Sequence, residues 1–322
     1  MVPKFMKAPF PYPGGKTKIA DLVWHALDQP EVYFEPFFGS GAVLLGRPNY
    51  DHQRHTEIVN DADGFVSNVW RSIILAPNDV IKWCDWPVSH LDFTARRQVL
   101  IDEEPSLTQR LKKDPEWYNA KLAAYWIWVA SSCVGPVGPK MKSIDDSRPN
   151  WENKCLNTID GTTRANVNRR VVDWLTYLSI RLRYVKVMCG DWSILCKSNW
   201  QADHWRSVGY FFDPPYSVDD RSANLYGKES LTISHAVRKW AIERGQIKNY
   251  RIVIAGYDTE HADLEKYGWS VRAWHTKGGW ANQGGGGTEG VKNAKRERLW
   301  FSPYCISFNT LFDDGHKFRR QR

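Results

Sequence analysis

The spacing of apolar positions predicts alternating strands and helices near both ends of the chain, with a helical stretch between them. Val32 to Phe37 is a short apolar run closed by Phe38-Gly39-Ser40-Gly41 and followed by Ala42 to Leu45, which predicts strand, tight turn, helix. A second strand, Thr56 to Val59, ends in Asn60-Asp61-Ala62-Asp63, after which Phe65, Val66, Val69, Trp70, Ile73 and Ile74 recur at helical spacing. Two βα units in succession imply a parallel sheet that takes ligands at the carboxyl ends of its strands. From Pro77 to Val171 the alternation gives way to polar, helix-like stretches and one strongly apolar helix, Trp117 to Ala130. Within that region Asp145 to Asn168 lacks periodicity and reads as a surface loop or hairpin. Alternation resumes with a helix at Val171 to Arg183, strands at Tyr184 to Cys189 and Val208 to Phe212, a helix at Ser230 to Arg244, and strands at Arg251 to Ala255 and Arg298 to Phe301. Gly278 to Gly290, with four consecutive glycines, reads as a loop joining the last strands. The expected architecture is α/β: a doubly wound, mostly parallel sheet from residues 1–76 and 171–322, carrying a mainly helical inserted domain, 77–170.

Composition narrows the class. The chain has 322 residues, 42% hydrophobic and 25% charged, which suits a globular protein with a real core. Leu122 to Pro139, the longest charge-free stretch, falls short of the roughly 20 apolar residues that cross a bilayer and is broken by Gly-Pro pairs. No apolar run follows the basic residues at the start, so no secretory signal is expected. The six cysteines include no C-x-x-C pair, which argues for reduced thiols and a cytoplasmic protein.

The net charge of +8 favours a polyanionic partner, and its distribution matters more than its size. Lys140 to Lys186 holds ten Lys or Arg against five Asp or Glu, and Thr288 to the end holds eight against four. This concentration predicts a nucleic-acid footprint, with Arg148, Lys154, Arg164, Asn166, Arg169 and Arg170 as the candidate DNA-binding residues. A solvated basic face would leave the same pattern.

The strongest chemical signal is Asp213-Pro214-Pro215-Tyr216, directly after the strand that ends in Tyr210-Phe211-Phe212. An acid there lies where open α/β sheets bind ligands. The two prolines fix the backbone so that the Pro214 carbonyl can be aimed, and Tyr216 can stack on a planar base drawn out of a duplex. The Asp213 carboxylate and the Pro214 carbonyl can together hold the two hydrogens of an amino group, which frees its lone pair for attack. A second signal is Glu35-Pro36-Phe37-Phe38-Gly39-Ser40-Gly41, whose glycines allow close approach of a ligand to the backbone. Asp61 either accepts both hydroxyls of an adenosine ribose or caps the following helix. Tyr12-Pro13-Gly14-Gly15-Lys16-Thr17 contains Gly-Lys-Thr but is no phosphate loop, since Phe10 stands where the earlier glycine belongs and no strand precedes it. It can still set Gly14-Gly15 and Lys16 beside a bound ligand. No His or Cys cluster suggests a metal site, and His235, His261 and His275 read as surface or capping residues.

Taken in order, the Pro-Gly-Gly-Lys start, Glu35-Pro36-Phe37-x-Gly39-x-Gly41, Asn60-Asp61, a variable segment, Gly190-Asp191 and Asp213-Pro214-Pro215-Tyr216 resemble the DNA adenine methyltransferases of the Dam type. That resemblance implies a Rossmann-like methyltransferase fold, S-adenosylmethionine as cofactor, and site-specific transfer of its methyl group to an adenine flipped from double-stranded DNA, as in restriction–modification. It implies catalytic roles for Asp213, Pro214, Pro215 and Tyr216. Tyr12, Gly14, Gly15, Lys16 and Glu35 would line the cofactor pocket, the Phe38, Gly39 and Gly41 turn would pass under its methionine part, and Asp61 would hold its ribose. Asp191 would lie near its adenine unless it merely caps the next turn, with Asp213 completing the set. Arg298 to Pro303 resembles the closing strand of the family. Tyr12 stands where the Dam protein has Trp, Ala255-Gly256 replaces a common Ser-Asn, and residues 77–170 show no match to a GATC-reading segment. The protein is expected to act as a monomer or weak dimer. Methylation of the cytosine amino group, or an inactive DNA-binding protein of the same fold, are the competing readings.

Overall fold

Strands Val32–Glu35 (β1), Thr56–Asp61 (β2), Lys186–Cys189 (β5), Val208–Phe212 (β6), Tyr250–Tyr257 (β7), Ser270–Ala273 (β8) and Glu297–Phe301 (β9) form one seven-stranded, mostly parallel sheet in the computed structural model. Two-residue strands Cys133–Val134 (β3) and Arg148–Pro149 (β4) pair antiparallel on their own. The helices are Ala20–Leu27 (α1), Ala42–Leu45 (α2), Gly64–Leu75 (α3), Pro77–Cys84 (α4), His90–Lys113 (α5), Ala120–Ser132 (α6), Arg164–Leu182 (α7) and Glu229–Arg244 (α8). The structure describes residues 7–12, 15–114, 116–134, 148–149, 164–197, 206–216, 229–274 and 296–307.

The chain divides into two compact units, Met1–Thr17 with Tyr33–Ala202 and Lys18–Val32 with Asp203–Arg322. In the first, the strand order is β5-β2-β1, and β2 runs parallel to β5 with Asp61 opposite Cys189. Helix α3 lies against β2 and β5, and α6 packs on α3, α4 and α5. Helix α6 is apolar almost all round, and Leu122 to Ser132 are buried except Tyr125, as expected for a helix enclosed by others. Arg96 of α5 is buried beside it, its guanidinium 4.4 Å from the Trp128 ring centroid and 4.6 Å from that of Tyr125, while donating to the Trp83 carbonyl. Arg71 of α3 donates to the Leu111, Asp114 and Trp117 carbonyls and so satisfies acceptors at the carboxyl end of α5.

In the second unit, the order is β6-β7-β9-β8, with β6 parallel to β7 and β9 antiparallel to both its neighbours. Every residue of β6 is buried, as a charge-free strand inside a parallel sheet can be. Helix α1 packs on β6 and β7, and Arg251 of β7 donates to the Leu27 carbonyl at its end.

Helix α7 differs from expectation. It begins at Arg164 rather than Val171, so the loop expected over Asp145–Asn168 is already helical in its last residues. From Val171 onward the helix carries a buried apolar stripe of Val171, Leu175, Leu178 and Leu182. Arg164, Asn166, Arg169 and Arg170 therefore sit on the first half of a helix, while Arg148 lies in β4 and Lys154 falls outside the described residues. Gly278 to Gly290 also falls outside them. The sequence reading missed α1 and β8 altogether.

The carboxyl half of α7 is fixed by charge. Glu57 of β2 accepts from Arg181 at 2.7 and 2.9 Å and from Arg47 at 3.2 Å, and all three side chains are almost wholly buried. Arg181 also lies 3.7 Å from the Tyr50 ring centroid. Two guanidiniums share one carboxylate here, so removing the acid strands both cations in the interior. Glu57→Ala is expected to cost about 3–5 kcal/mol of stability in chemical denaturation. A loss below about 1 kcal/mol would show that the two arginines find other acceptors.

Candidate active site

The candidate site of the first unit is built where β1 stops. Pro36 has no N–H to continue a ladder, so the chain leaves the sheet there and turns through Phe38 to Gly41. Gly39 and Gly41 take φ of 47° and 60°, the left-handed region that favours glycine, and Gly41 is the N-cap residue of α2. A side chain at position 39 would also place its Cβ 2.6 Å from Cε1 of Tyr12, whose ring covers this turn. Both backbone groups of Gly39 are held: its N–H donates to Asp61 Oδ2 at 2.7 Å, and its carbonyl accepts from Trp70 Nε1 at 2.9 Å. Phe38, buried, packs against Trp70, and its N–H donates to the Asn60 carbonyl.

The sequence left Asp61 with two roles, and the structure gives the capping role to another residue. Asp63 is the N-cap residue of α3, accepting from Phe65 N–H at 2.8 Å and Val66 N–H at 3.5 Å. Asp61 instead accepts from Gly39 and, through Oδ1, from Asp63 N–H at 2.9 Å. Its two oxygens offer about four lone pairs, so the N–H groups of Gly39, Asp63 and Ala62 leave acceptor capacity for a ribose hydroxyl. In that respect the residues present fit an adenosine cofactor. Burial raises the pKa of Asp61, while the backbone N–H groups of Asp63, Gly39 and Ala62 pull it back. Burial, reinforced by the charge of Asp61, pushes Asp63 up to about 7.

Among the other expected cofactor residues, Glu35 is buried and accepts from Tyr33 Oη at 2.8 Å. Lys16 is buried too, at 5% exposed, whereas Gly15 is exposed and Gly14 lies outside the described residues. Asp191 is exposed and caps the short 3-10 turn Trp192–Cys196, accepting from Ser193 N–H at 3.0 Å and from the Ser193 hydroxyl. Tyr12, Gly39 and Asp61 are thus brought together, with Asn60 and Trp70 as supports to which the sequence reading gave no role of their own. The sequence signal for Trp70 was only its place on the buried stripe of α3.

In the second unit, Asp213 follows the last residue of β6 directly and is half-buried, with Pro214 and Tyr216 buried and Pro215 between. The Tyr216 ring meets Tyr257 edge-on at 4.7 Å, and Arg296 lies 5.1 Å from the Tyr257 centroid while pairing with Asp258 at 3.1 Å. Burial, then the charge of Asp213, raises the Tyr216 phenol well above its ordinary value, so the buried ring stays neutral. An acid, a fixed carbonyl and a neutral ring at the carboxyl end of a parallel strand can hold a planar amine.

Residues 12–118 match the model of the D12 class N6 adenine-specific DNA methyltransferases. This match supports an adenine-specific DNA methyltransferase. No curated protein matches the chain. The matched stretch of the methyltransferase takes in Tyr12, Lys16, the Glu35 to Gly41 turn, Asp61 and α3 to α5. DNA is accordingly the substrate, and no helix among the described residues is long and apolar enough to cross a membrane.

One expectation is corrected. His261 is not a surface residue: it stands at the N-cap of the 3-10 turn Ala262–Tyr267, makes no side-chain capping bond, and is fully buried edge-on to Trp300. The missing side chain of Gly256 makes room for it, since a Cβ there would lie 2.7 Å from His261 Cδ2. Burial, aided by Arg238, drives its pKa down to about 3, so it is a neutral core residue of the methyltransferase.

Asp63 gives a pH test. Its folded-state pKa exceeds the ordinary 3.8, so the native state holds this proton more tightly than the unfolded chain. The resulting stabilisation is complete below 3.8 and is lost as pH rises through about 7. Asp63→Asn keeps a capping oxygen but does not titrate, and its unfolding free energy is expected to fall less steeply from pH 4 to pH 7 than that of wild type. Parallel curves for the two proteins would show that Asp63 stays ionised throughout.

Proposed function

We propose that this methyltransferase transfers the methyl group of S-adenosylmethionine to N6 of an adenine at a specific site in double-stranded DNA. The observation that carries the reading is Asp213-Pro214-Pro215-Tyr216 set immediately after a fully buried parallel strand, in a chain whose residues 12–118 match an N6 adenine methyltransferase class. Bound S-adenosylmethionine supplies an electrophilic methyl group on a sulfonium centre. Asp61 would accept the ribose hydroxyls, the Phe38 to Gly41 turn would lie under the methionine part, Tyr12, Lys16 and Glu35 would line the pocket, and Asp191 would sit near the adenine ring. The target adenine leaves the duplex and lies on Tyr216. Asp213 and the Pro214 carbonyl accept its two amino hydrogens, drawing the nitrogen lone pair out of ring conjugation. The nitrogen would take the methyl group as the methyl–sulfur bond breaks and the sulfonium leaves as a neutral thioether, and the resulting aminium, strongly acidic, would then lose a proton to solvent. Orientation and preorganised acceptors supply the rate, and no general base is needed before transfer.

DNA recognition is assigned to the segment around Arg148, Lys154, Arg164, Asn166, Arg169 and Arg170, with arginines suited to guanine or phosphate and Asn166 to adenine. Alanine at a phosphate contact should weaken binding to every sequence and lower the salt slope by about one unit, whereas alanine at a base contact should relax preference at one position. If none of the six changes alters affinity, salt slope or preference, the recognition surface lies elsewhere.

The catalytic reading is tested with Asp213→Ala. Turnover on DNA is expected to fall by more than about a hundredfold, with folding and DNA affinity retained, because a charge-assisted acceptor is lost. Retention of more than about a tenth of wild-type turnover, a barrier change below roughly 1.4 kcal/mol, would remove Asp213 from the mechanism.

A further inference from the structure

Asn60 occupies a place that its sequence position alone does not explain. It is the next-to-last residue of β2, 1% exposed, and its side-chain amide points at two carbonyls from different elements. Nδ2 donates to the Pro36 carbonyl at 3.1 Å and to the Gly190 carbonyl at 2.9 Å. Two acceptors admit only one orientation of the amide, with the NH2 toward them and Oδ1 away. Oδ1 is buried and has no partner among the described residues.

Those carbonyls belong to the turn after β1 and the turn after β5. The same two segments meet again through Phe37 and Trp192, whose rings stack with centroids 6.2 Å apart at 22°. The main chain of β2 adds to the link: the Asn60 carbonyl accepts from Phe38 N–H at 2.9 Å and the Asp61 carbonyl from Gly190 N–H at 3.0 Å. Sheet pairing alone would hold the strands, but Pro36 lacks an N–H and leaves its carbonyl to be satisfied by a side chain. A buried amide with an orphaned oxygen is a poor choice for stability alone.

We infer that Asn60 is a positioning residue for S-adenosylmethionine, setting the distance between the Phe37–Gly41 turn and the Gly190–Asp191 turn so that one cofactor can engage both. This rests on the reading of these turns as the cofactor site. Asn60 acts through the two turns and need not touch the cofactor.

The test compares calorimetric titrations of S-adenosylmethionine into wild type, Asn60→Ala, Asn60→Ser and Asn68→Ala. Asn68 is an equally buried asparagine whose amide bonds Asn119 at 2.9 and 2.8 Å, ahead of α6, and it serves as the purely structural counterpart. Asn60→Ala is expected to raise the cofactor Kd at least about tenfold, while kcat at saturating cofactor stays within about threefold of wild type. Asn60→Ser, able to donate to one carbonyl, should fall between. Asn68→Ala should lower Tm and leave Kd within about twofold. In wild type, hydrogen exchange should show both turns protected by the cofactor over the same concentration range, which decides the matter even if the Asn60 variants fail to fold. An Asn60→Ala protein that titrates like wild type, or protection confined to one turn, overturns the inference. A wild type that binds no S-adenosylmethionine overturns the cofactor reading itself.

Discussion

Hydrogen bonding at the end of β1 must pass from the sheet to side chains, because Pro36 has no N–H to offer and the next residues bend through two left-handed glycines. Asn60 takes the Pro36 carbonyl, Asp61 takes the Gly39 N–H, and Trp70 takes the Gly39 carbonyl. These partners, two donors and one acceptor, come from β2 and α3, so the turn is only as well placed as that βα unit. This explains why so much of the first unit braces α3: α6 packs against it, Arg71 ties it to the end of α5, and Asp63 caps its start. The helices after α3 thus support the Phe38–Gly41 turn at one remove, whatever else they do.

Part of this was legible in the sequence, for physical reasons. Strand β6 is buried on both faces, so it appears as an unbroken charge-free run, and the motif at its end follows without ambiguity. The glycine turn was legible because left-handed backbone restricts the choice of residue. Asn60 was visible as a residue and invisible as a strut, since an amide between two carbonyls from distant segments needs the topology to be known. Asp61 and Asp63 are interchangeable as letters near a helix start, and only geometry shows which one caps. Strand β8 is only four residues long and largely exposed, so its brief alternation carries little signal, and the burial of His261 depends on the absent side chain of Gly256 outside any local pattern.

Several arginines spend their charge inside the protein: Arg47, Arg96 and Arg97 are buried, and Arg181 is engaged with Glu57. Arg181 falls within the basic stretch Lys140 to Lys186, so the surplus there that can meet a polyanion is smaller than the letters suggest. What remains is concentrated toward the start of α7 and the segment before it.

That division gives α7 a mechanical character. Its carboxyl end is bolted to β2 by the Arg181–Glu57 pair and to α3 by the Ser179 hydroxyl on the Ile74 carbonyl, while Arg164 to Arg170 occupy the opposite end. At 1.5 Å per residue, Arg164 stands about 26 Å from Arg181 along the axis. A rod packed from Val171 to Leu182 carries the residues ahead of it, so a tilt of the packed part would displace the Arg164 end most. Substitutions around Glu57 that merely loosen the clamp would then blur where the basic end lands, without touching any residue at that end.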